Sequence, residues 1–399
     1  MAKAKPATKK PIRLADRVGA KVKIAPARSS APVWTGPGGD GPQGGVTQSL
    51  LGRFLSCRER FRRLVVDGWR PADRFEPRME FGNLWHAMEE ALAGGGHLSN
   101  AEDALEAYTT KLLARYPMAG NDIVHWAGLA GALFPEYVRH WAQHPDVLSR
   151  TPLLQEQAFD VPYRLPSGRV VRLRGKWDAV DLIGAGKDAG VYVQENKTKS
   201  TIDGVKIARQ VAFDLQSMFY LVALEIFQHD QATDTPGDAD GEWGNSILGV
   251  RYNVIRRPAH KTVESAMKKF GEDQRNGRVG EWFARWKIEV GPADVARFRR
   301  ECLDPILENL LDDYEWWGFC GRFEQFAQGN DHLRAFNVQE VWDYQTRAKH
   351  YPHHRQRHFR TPYFYNPIAE GGYGDVDALM DSGSTAGLTQ TADLFPELA

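Results

Sequence analysis

Leu173–Ser200 reads LRGKWDAVDLIGAGKDAGVYVQENKTKS, and the fold class turns on this stretch. Residues 171–183 and 191–197 mix β-branched and aromatic residues with polar ones, and GAGKDAG between them has turn composition. The pattern predicts a β-hairpin with Asp178 on its first strand and Glu195 and Lys197 on its second. Strand side chains alternate, so Glu195 and Lys197 share a face and Asn196 points away. Two carboxylates and a lysine on one sheet suit metal-assisted hydrolysis. Hard divalent cations take carboxylate oxygens, and an ammonium beside them stabilises a phosphoryl anion or positions water. The same E-x-K spacing also occurs as an exposed cross-strand ion pair, so the rest of the chain has to separate the two readings.

On the C-terminal side, residues 205–227 predict one long amphipathic helix. Gln216 and Tyr220 are four apart and share a face of it, with Lys206 and Arg209 ahead of them. An acidic loop over 228–244 leads to a strand at 246–257. On the N-terminal side, residues 153–183 predict two strands around a Ser-Gly turn at 167–168. Earlier, Phe81–Leu92 predicts a helix with Leu84, Met88 and Leu92 as its apolar stripe and His86 within a turn of Glu89 and Glu90. Further helices are expected over 101–116 and 121–144. Thr47-Gln48-Ser49 signals a helix start. The segment that follows places Leu50, Phe54, Cys57 and Phe61 on one face and Arg53, Arg58, Arg60, Arg62 and Arg63 on the others. That pattern suits either a solvated basic face or a helix lying along a phosphate backbone. Taken in order, these elements predict a mixed α/β core with helical additions.

The chain has 399 residues, 42% hydrophobic and 26% charged, which supports a true core. A formal net charge of +0 excludes a global basic field, so any nucleic-acid binding rests on local patches. Three cysteines do not make a disulfide framework and fit a reducing interior. No apolar run is long enough to span a bilayer, and the basic N-terminus lacks the apolar core of a signal peptide. A soluble, cytoplasmic protein is expected. Composition divides the chain into a disordered basic arm and Gly-rich linker over 1–46, one folded domain over 47–365 and an acidic, flexible tail over 366–399. Residues 348–360, AKHYPHHRQRHFR, suit a basic, aromatic surface better than a metal site, and an ordinary exposed turn better than either. The tail ends TADLFPELA, and Leu394-Phe395 suits a docking peptide that fills a partner's pocket.

Four short patterns occur in order: G-x-x-x-H at Gly82–His86, G-x-x-D at Gly175–Asp178, E-x-K at Glu195–Lys197 and Q-x-x-x-Y at Gln216–Tyr220. Together they resemble the RecB-like branch of the PD-(D/E)XK nuclease superfamily, which includes phage recombination exonucleases and CRISPR-associated nucleases. The resemblance covers about 47–260 and implies a restriction-endonuclease-like mixed sheet flanked by helices. It implies that His86, Asp178, Glu195 and the backbone carbonyl of Asn196 hold Mg²⁺ or Mn²⁺, and that Lys197 orients water and stabilises charge. Gln216 and Tyr220 would contact DNA or brace the site, with Arg58, Arg62 and Arg209 as further DNA-contact or bracing residues. The implied activity is phosphodiester hydrolysis of DNA, as an exonuclease in recombination, repair or replication, in a protein of viral origin acting inside a bacterial host. A recombination or replication protein is the partner expected for the tail, whose end also resembles sliding-clamp-binding peptides. Some relatives hold a [4Fe–4S] cluster on four cysteines. Only Cys57, Cys302 and Cys320 exist here, so no cluster is expected.

Overall fold

The computed structural model describes residues 33–315, apart from 57, 72, 94–95, 185–188, 212–213 and 235–245, together with 388–391, 393–395 and 398. Its centre is a five-stranded sheet in the order β2-β3-β4-β5-β6. The strands are β2 (Arg150–Arg164), β3 (Val170–Ile183), β4 (Gly190–Lys199), β5 (Ile247–Arg256) and β6 (Phe283–Glu289). β2–β3, β3–β4 and β5–β6 pair antiparallel, while β4–β5 pair parallel. A parallel pair needs a crossover. Here it consists of α7 (Gly204–Val211) and α8 (Leu215–Asp234).

The expected hairpin is present as β3–β4, and the second expected hairpin as β2–β3, turned by Gly168 at φ 85°. The single helix expected over 205–227 is two helices. Asp214 restarts the second, accepting the Ser217 backbone N–H at 3.3 Å, as an Asp cap does. β6 was not anticipated, because FARWKIE alternates weakly between apolar and polar.

Each face of the sheet carries its own helical layer. On one, α8 packs with α1 (Gln48–Ser56), a π-helical turn at Arg62–Val66 and the end of the helix over 304–315, around Phe54, Phe61, Trp177, Phe219, Tyr252 and Leu307. On the other, α3 (Pro77–Ala93), α4 (Leu98–Arg115), α5 (Gly120–Trp141) and α9 (Val263–Arg275) close around Trp85, Phe134, Tyr137, Trp282 and Phe283. Trp85 is edge-on to Phe134 at 5.2 Å and to Tyr137 at 5.3 Å. Such pairs add about 0.5–1.5 kcal/mol beyond burial, and they fix α3, the helix that carries His86.

Two boundary expectations are corrected. Residues 33–46 are part of the body: Trp34 and Val46 are fully buried, and the Val46 N–H donates to the Arg172 carbonyl at 2.8 Å. The glycines there permit close approach, since a Cβ on Gly44 would lie 1.9 Å from the Gly39 carbonyl oxygen. The tail expected to be flexible is docked at its tip. β7 (Leu388–Gln390) pairs antiparallel with β1 (Trp69–Pro71), and Leu394 and Phe395 are buried in the chain's own core. The basic arm before residue 33, the segment 348–360, Cys57 and Cys320 lie outside the described residues, and Cys302 is exposed.

A charged network under the α3–α5 layer sets the register of the sheet. Asp181 is fully buried and meets Arg251 at 2.6 Å and Arg150 at 2.8 Å. Arg251 also donates to Gln194, and burial pulls its pKa down to about 10. Removing one partner from a buried pair leaves a desolvated charge behind. Asp181→Ala is therefore expected to cost about 3–5 kcal/mol in urea unfolding, and a loss under 1 kcal/mol would show that the network is not holding the sheet.

Candidate active site

Glu195 and Lys197 sit on β4 and face α8, two residues apart as alternation requires. The Lys197 Nζ donates to Glu195 Oε2 at 2.8 Å and to Gln216 Oε1 at 2.6 Å. The Gln216 amide donates back to the same Glu195 Oε2 at 2.8 Å. The first turn of α8 thus closes a ring of three side chains. Glu195 is fully buried, and its other oxygen, Oε1, has no hydrogen-bond partner. Burial, with Asp178 nearby and only partly offset by Lys197, lifts its pKa to about 7. Burial works against the charge of Lys197, but Glu195 outweighs it and raises the lysine pKa.

Asp178 lies on β3 just past Ala179↔Gln194, the last recorded pair of the β3–β4 ladder. Its Oδ2 accepts the Asn196 backbone N–H at 2.8 Å, which a carboxylate here takes in place of a ladder bond. Burial raises the Asp178 pKa against the pull of His86 and that N–H. The Asn196 side chain points to the opposite layer, accepting from Asn253 at 3.0 Å.

His86 reaches the site from α3. Its Nδ1 lies 3.7 Å from Asp178 Oδ1 and 3.3 Å from Glu156 Oε1. Glu156, on β2, is the residue that sequence reasoning missed, although counting outward from the Ser-Gly turn places it opposite Asp178. Its other oxygen meets Lys176 at 2.7 Å. Burial works against its charge, yet His86 and Lys176 hold Glu156 below the ordinary carboxylate range. His86, Glu156 and Asp178 bring three ligand atoms within 4.8 Å of one another. That group, two carboxylates and an imidazole, suits a divalent cation; the Glu195 carboxylate, whose Oε1 has no hydrogen-bond partner, acts on His86 electrostatically.

Tyr220 braces the site from α8. Its ring is edge-on to Phe159 at 5.5 Å, and its carbonyl accepts from Trp177 Nε1 at 3.3 Å. Both rings occupy the space above Gly175, where a Cβ would meet Phe159 at 2.5 Å and Tyr220 at 3.2 Å. The glycine of G-x-x-D is thus a packing requirement. Arg209 is exposed on α7. Arg58 and Arg62 do not fit the reading as a phosphate-facing surface. Arg58 is buried against Asp313 at 2.8 Å and over the Phe54 ring, and Arg62 is buried in the π-helical turn. Both hold the fold, well inside the surface that a strand of DNA can touch.

Burial opposes charge on His86, but Asp178, Glu156 and Glu195 together lift its pKa from 6.5 to about 9. A raised basic pKa stabilises the folded state fully below the unfolded value, and this contribution is lost as pH rises through the folded one. In metal-free buffer, the melting-temperature advantage of the natural chain over His86→Ala is expected to be larger below pH 6.5 than above pH 9. An advantage independent of pH would show that the imidazolium does not balance these carboxylates.

A search of curated proteins finds no match. The family model described as PD-(D/E)XK nuclease superfamily matches residues 46–304. That span begins at the loop before α1 and takes in the whole five-stranded sheet, with His86, Glu156, Asp178, Glu195, Lys197 and Gln216 inside it. The chain belongs to the PD-(D/E)XK nuclease superfamily.

Proposed function

We propose that this chain is a divalent-metal-dependent deoxyribonuclease, acting as an exonuclease in DNA recombination, repair or replication. The grouping of His86, Glu156 and Asp178, with the Glu195–Lys197 pair on the adjoining strand, supports the reading most directly. The fit to a cation rests on this chain's own geometry: a group of three ligand atoms within 4.8 Å of one another, and a buried Glu195 oxygen with no hydrogen-bond partner. His86, Asp178 and Glu195 would hold the ion, Mg²⁺ or Mn²⁺, with Glu156 and the Asn196 carbonyl as further ligands. When bound, the ion lowers the pKa of water and neutralises charge on the phosphate.

The protein groups supply the rest. Lys197, kept protonated by Glu195, donates to the attacking water or to the phosphate oxygen that gains charge. Gln216 locks the Lys197 and Glu195 rotamers, and Tyr220 fixes the β3 backbone that carries Asp178. Arg209 on α7 offers an exposed cation to a backbone phosphate. An exonuclease reading is supported by the resemblance of the four ordered motifs to the RecB-like branch.

Linear and circular, single- and double-stranded DNA incubated with Mn²⁺, Mg²⁺ or EDTA tests the reading. Cleavage is expected with either metal and on linear ends, and none with EDTA. Lys197→Ala is expected to lower kcat by about 10²–10³-fold, and Gln216→Ala to weaken metal affinity by about 10–100-fold. Cleavage undiminished in both Asp178→Ala and Lys197→Ala would overturn the site. No cleavage under any condition would point to a non-catalytic DNA-binding protein. Cleavage of circles as fast as linear DNA would make it an endonuclease.

Metal binding is also expected to depend on pH. Ligands bind the ion deprotonated, so Mn²⁺ affinity by calorimetry should rise as pH passes about 7, where Glu195 loses its proton. It should rise again toward about 9, where His86 does. Proton release on binding, read from buffers of different ionisation enthalpy, checks the assignment. Affinity flat across this range would exclude both groups as ligands.

A further inference from the structure

The Leu-Phe pair near the C-terminus fills a pocket in the body of its own chain. Its approach is extended. Trp69, Arg70 and Pro71 pair with Gln390, Thr389 and Leu388, the Thr391 N–H donates to the Gly68 carbonyl at 2.8 Å, and the Gln390 side chain donates to the Asp67 carbonyl at 2.8 Å. The chain then turns. The Thr391 hydroxyl donates to the Asp393 carbonyl at 2.8 Å, and the Asp393 carboxylate accepts the Phe395 N–H at 3.1 Å. That turn points Leu394 and Phe395 inward, where they are 4% and 3% exposed.

The body reads this segment with specific groups. Gln43 donates to the Asp393 carboxylate at 3.2 Å and accepts the Leu394 N–H at 2.8 Å. Arg70 donates to the Leu394 carbonyl at 3.1 Å. The Arg174 guanidinium lies over the Phe395 ring at 4.9 Å, a favourable cation–π placement.

Receptor and occupant differ in how they are held. Loop 33–46 is fixed by bonds that do not involve the tail: Gly45 N–H to Gly36, Val46 N–H to Arg172, Arg172 N–H to Pro37 and Arg174 N–H to Val46. Arg174 also donates to the Pro42 and Gly44 carbonyls at 2.6 and 2.9 Å. The loop side of the pocket is therefore held by bonds of its own. By contrast, β1 and β7 form a two-stranded sheet of three residues each, apart from the main sheet. A pair that short does not persist alone, so the segment stays docked through Leu394, Phe395 and their polar partners. Backbone pairing together with side-chain anchors is the arrangement by which domains bind extended peptides.

We propose that loop 33–46, β1 and Arg174 form a recognition site for an extended Thr-x-Asp-Leu-Phe peptide, occupied in cis by residues 388–395 as a detachable clasp. The inference does not rest on the nuclease reading. Arg174, which lies over the Phe395 ring, precedes the Gly175 on which Phe159 and Tyr220 pack.

The test uses the full chain carrying Leu394→Ala and Phe395→Ala, with a fluorescent synthetic peptide of residues 388–399. Anisotropy is expected to show saturable binding to the double variant and at least tenfold weaker binding to the natural chain, whose own tail competes. The peptide with alanine at both anchor positions should not bind, and adding Arg174→Ala to the double variant should weaken binding. Hydrogen exchange at 68–71 should quicken in the double variant and slow again with peptide. No binding by a double variant with a native circular-dichroism spectrum would overturn the proposal, as would equal binding by both chains. A dimer lost on anchor substitution would overturn occupancy in cis. Should the double variant fail to fold, the natural chain with a protease site inserted near residue 345 serves instead. After cleavage, the C-terminal fragment should co-elute with the body and be displaced by excess peptide. A fragment that excess peptide cannot displace would overturn detachability.

Discussion

Glu195 is a carboxylate with no exposed surface, and much of the fold around the site offsets the cost of putting it there. Desolvating a carboxylate costs several kcal/mol unless charge and hydrogen bonds compensate. Strand β4 is buried on both faces because it pairs parallel with β5, and a parallel pair requires the crossover through α8. The crossover that causes the burial also supplies part of the compensation. It brings Gln216 to the oxygen that Lys197 already holds. Only one Glu195 oxygen is satisfied this way. The fold thus holds one oxygen and leaves the other without a hydrogen-bond partner.

Two aspartates on β3 show how one strand divides the two tasks. Asp181 faces the α3–α5 layer and is neutralised by Arg251 and Arg150, so it has nothing left for a ligand. Asp178, three residues earlier, lies where the ladder with β4 stops and is bonded to a backbone N–H, with His86 alongside. Alternation along β4 separates the same roles. Gln194 and Asn196 bond within the structural network, while Glu195 and Lys197 face α8. A slip of one residue would exchange the two sets. The buried arginine network therefore protects the site by making that slip costly.

The parts legible in the sequence are those governed by short periods. The β3–β4 hairpin, the shared face of Glu195 and Lys197, and the Gln216–Tyr220 face all follow from local spacing and hold in the structure. Glu156 was missed because a Glu inside QEQ carries no local mark; only the strand register places it beside Asp178. Arg58 and Arg62 read as an exposed basic face because the acid that buries Arg58, Asp313, is 255 residues away in sequence. The Gly-rich stretch before α1 read as a linker because composition does not distinguish glycines that confer freedom from glycines that let backbones touch. At Gly39 and Gly44 they let backbones touch.

Glu156, Asp178 and Glu195 repel one another, and the fold sets cations among them. His86, Lys176 and Lys197 each pair with one or more of them, so three cations stand against three carboxylates. Glu156 has the only positive φ recorded for a non-glycine residue among those described, at 45°. Ladder pairs on both sides of it, Gln155↔Ala179 and Gln157↔Trp177, hold the backbone in that sparsely populated region. Strain of this kind, of order 1–3 kcal/mol, persists where surrounding structure over-determines it, and it clusters at functional sites. Here it is localised on a carboxylate aimed at His86. An incoming divalent ion does not have to gather these ligands. Such an ion would take the place of a proton on His86 and would meet carboxylates held by two lysines and a strained strand.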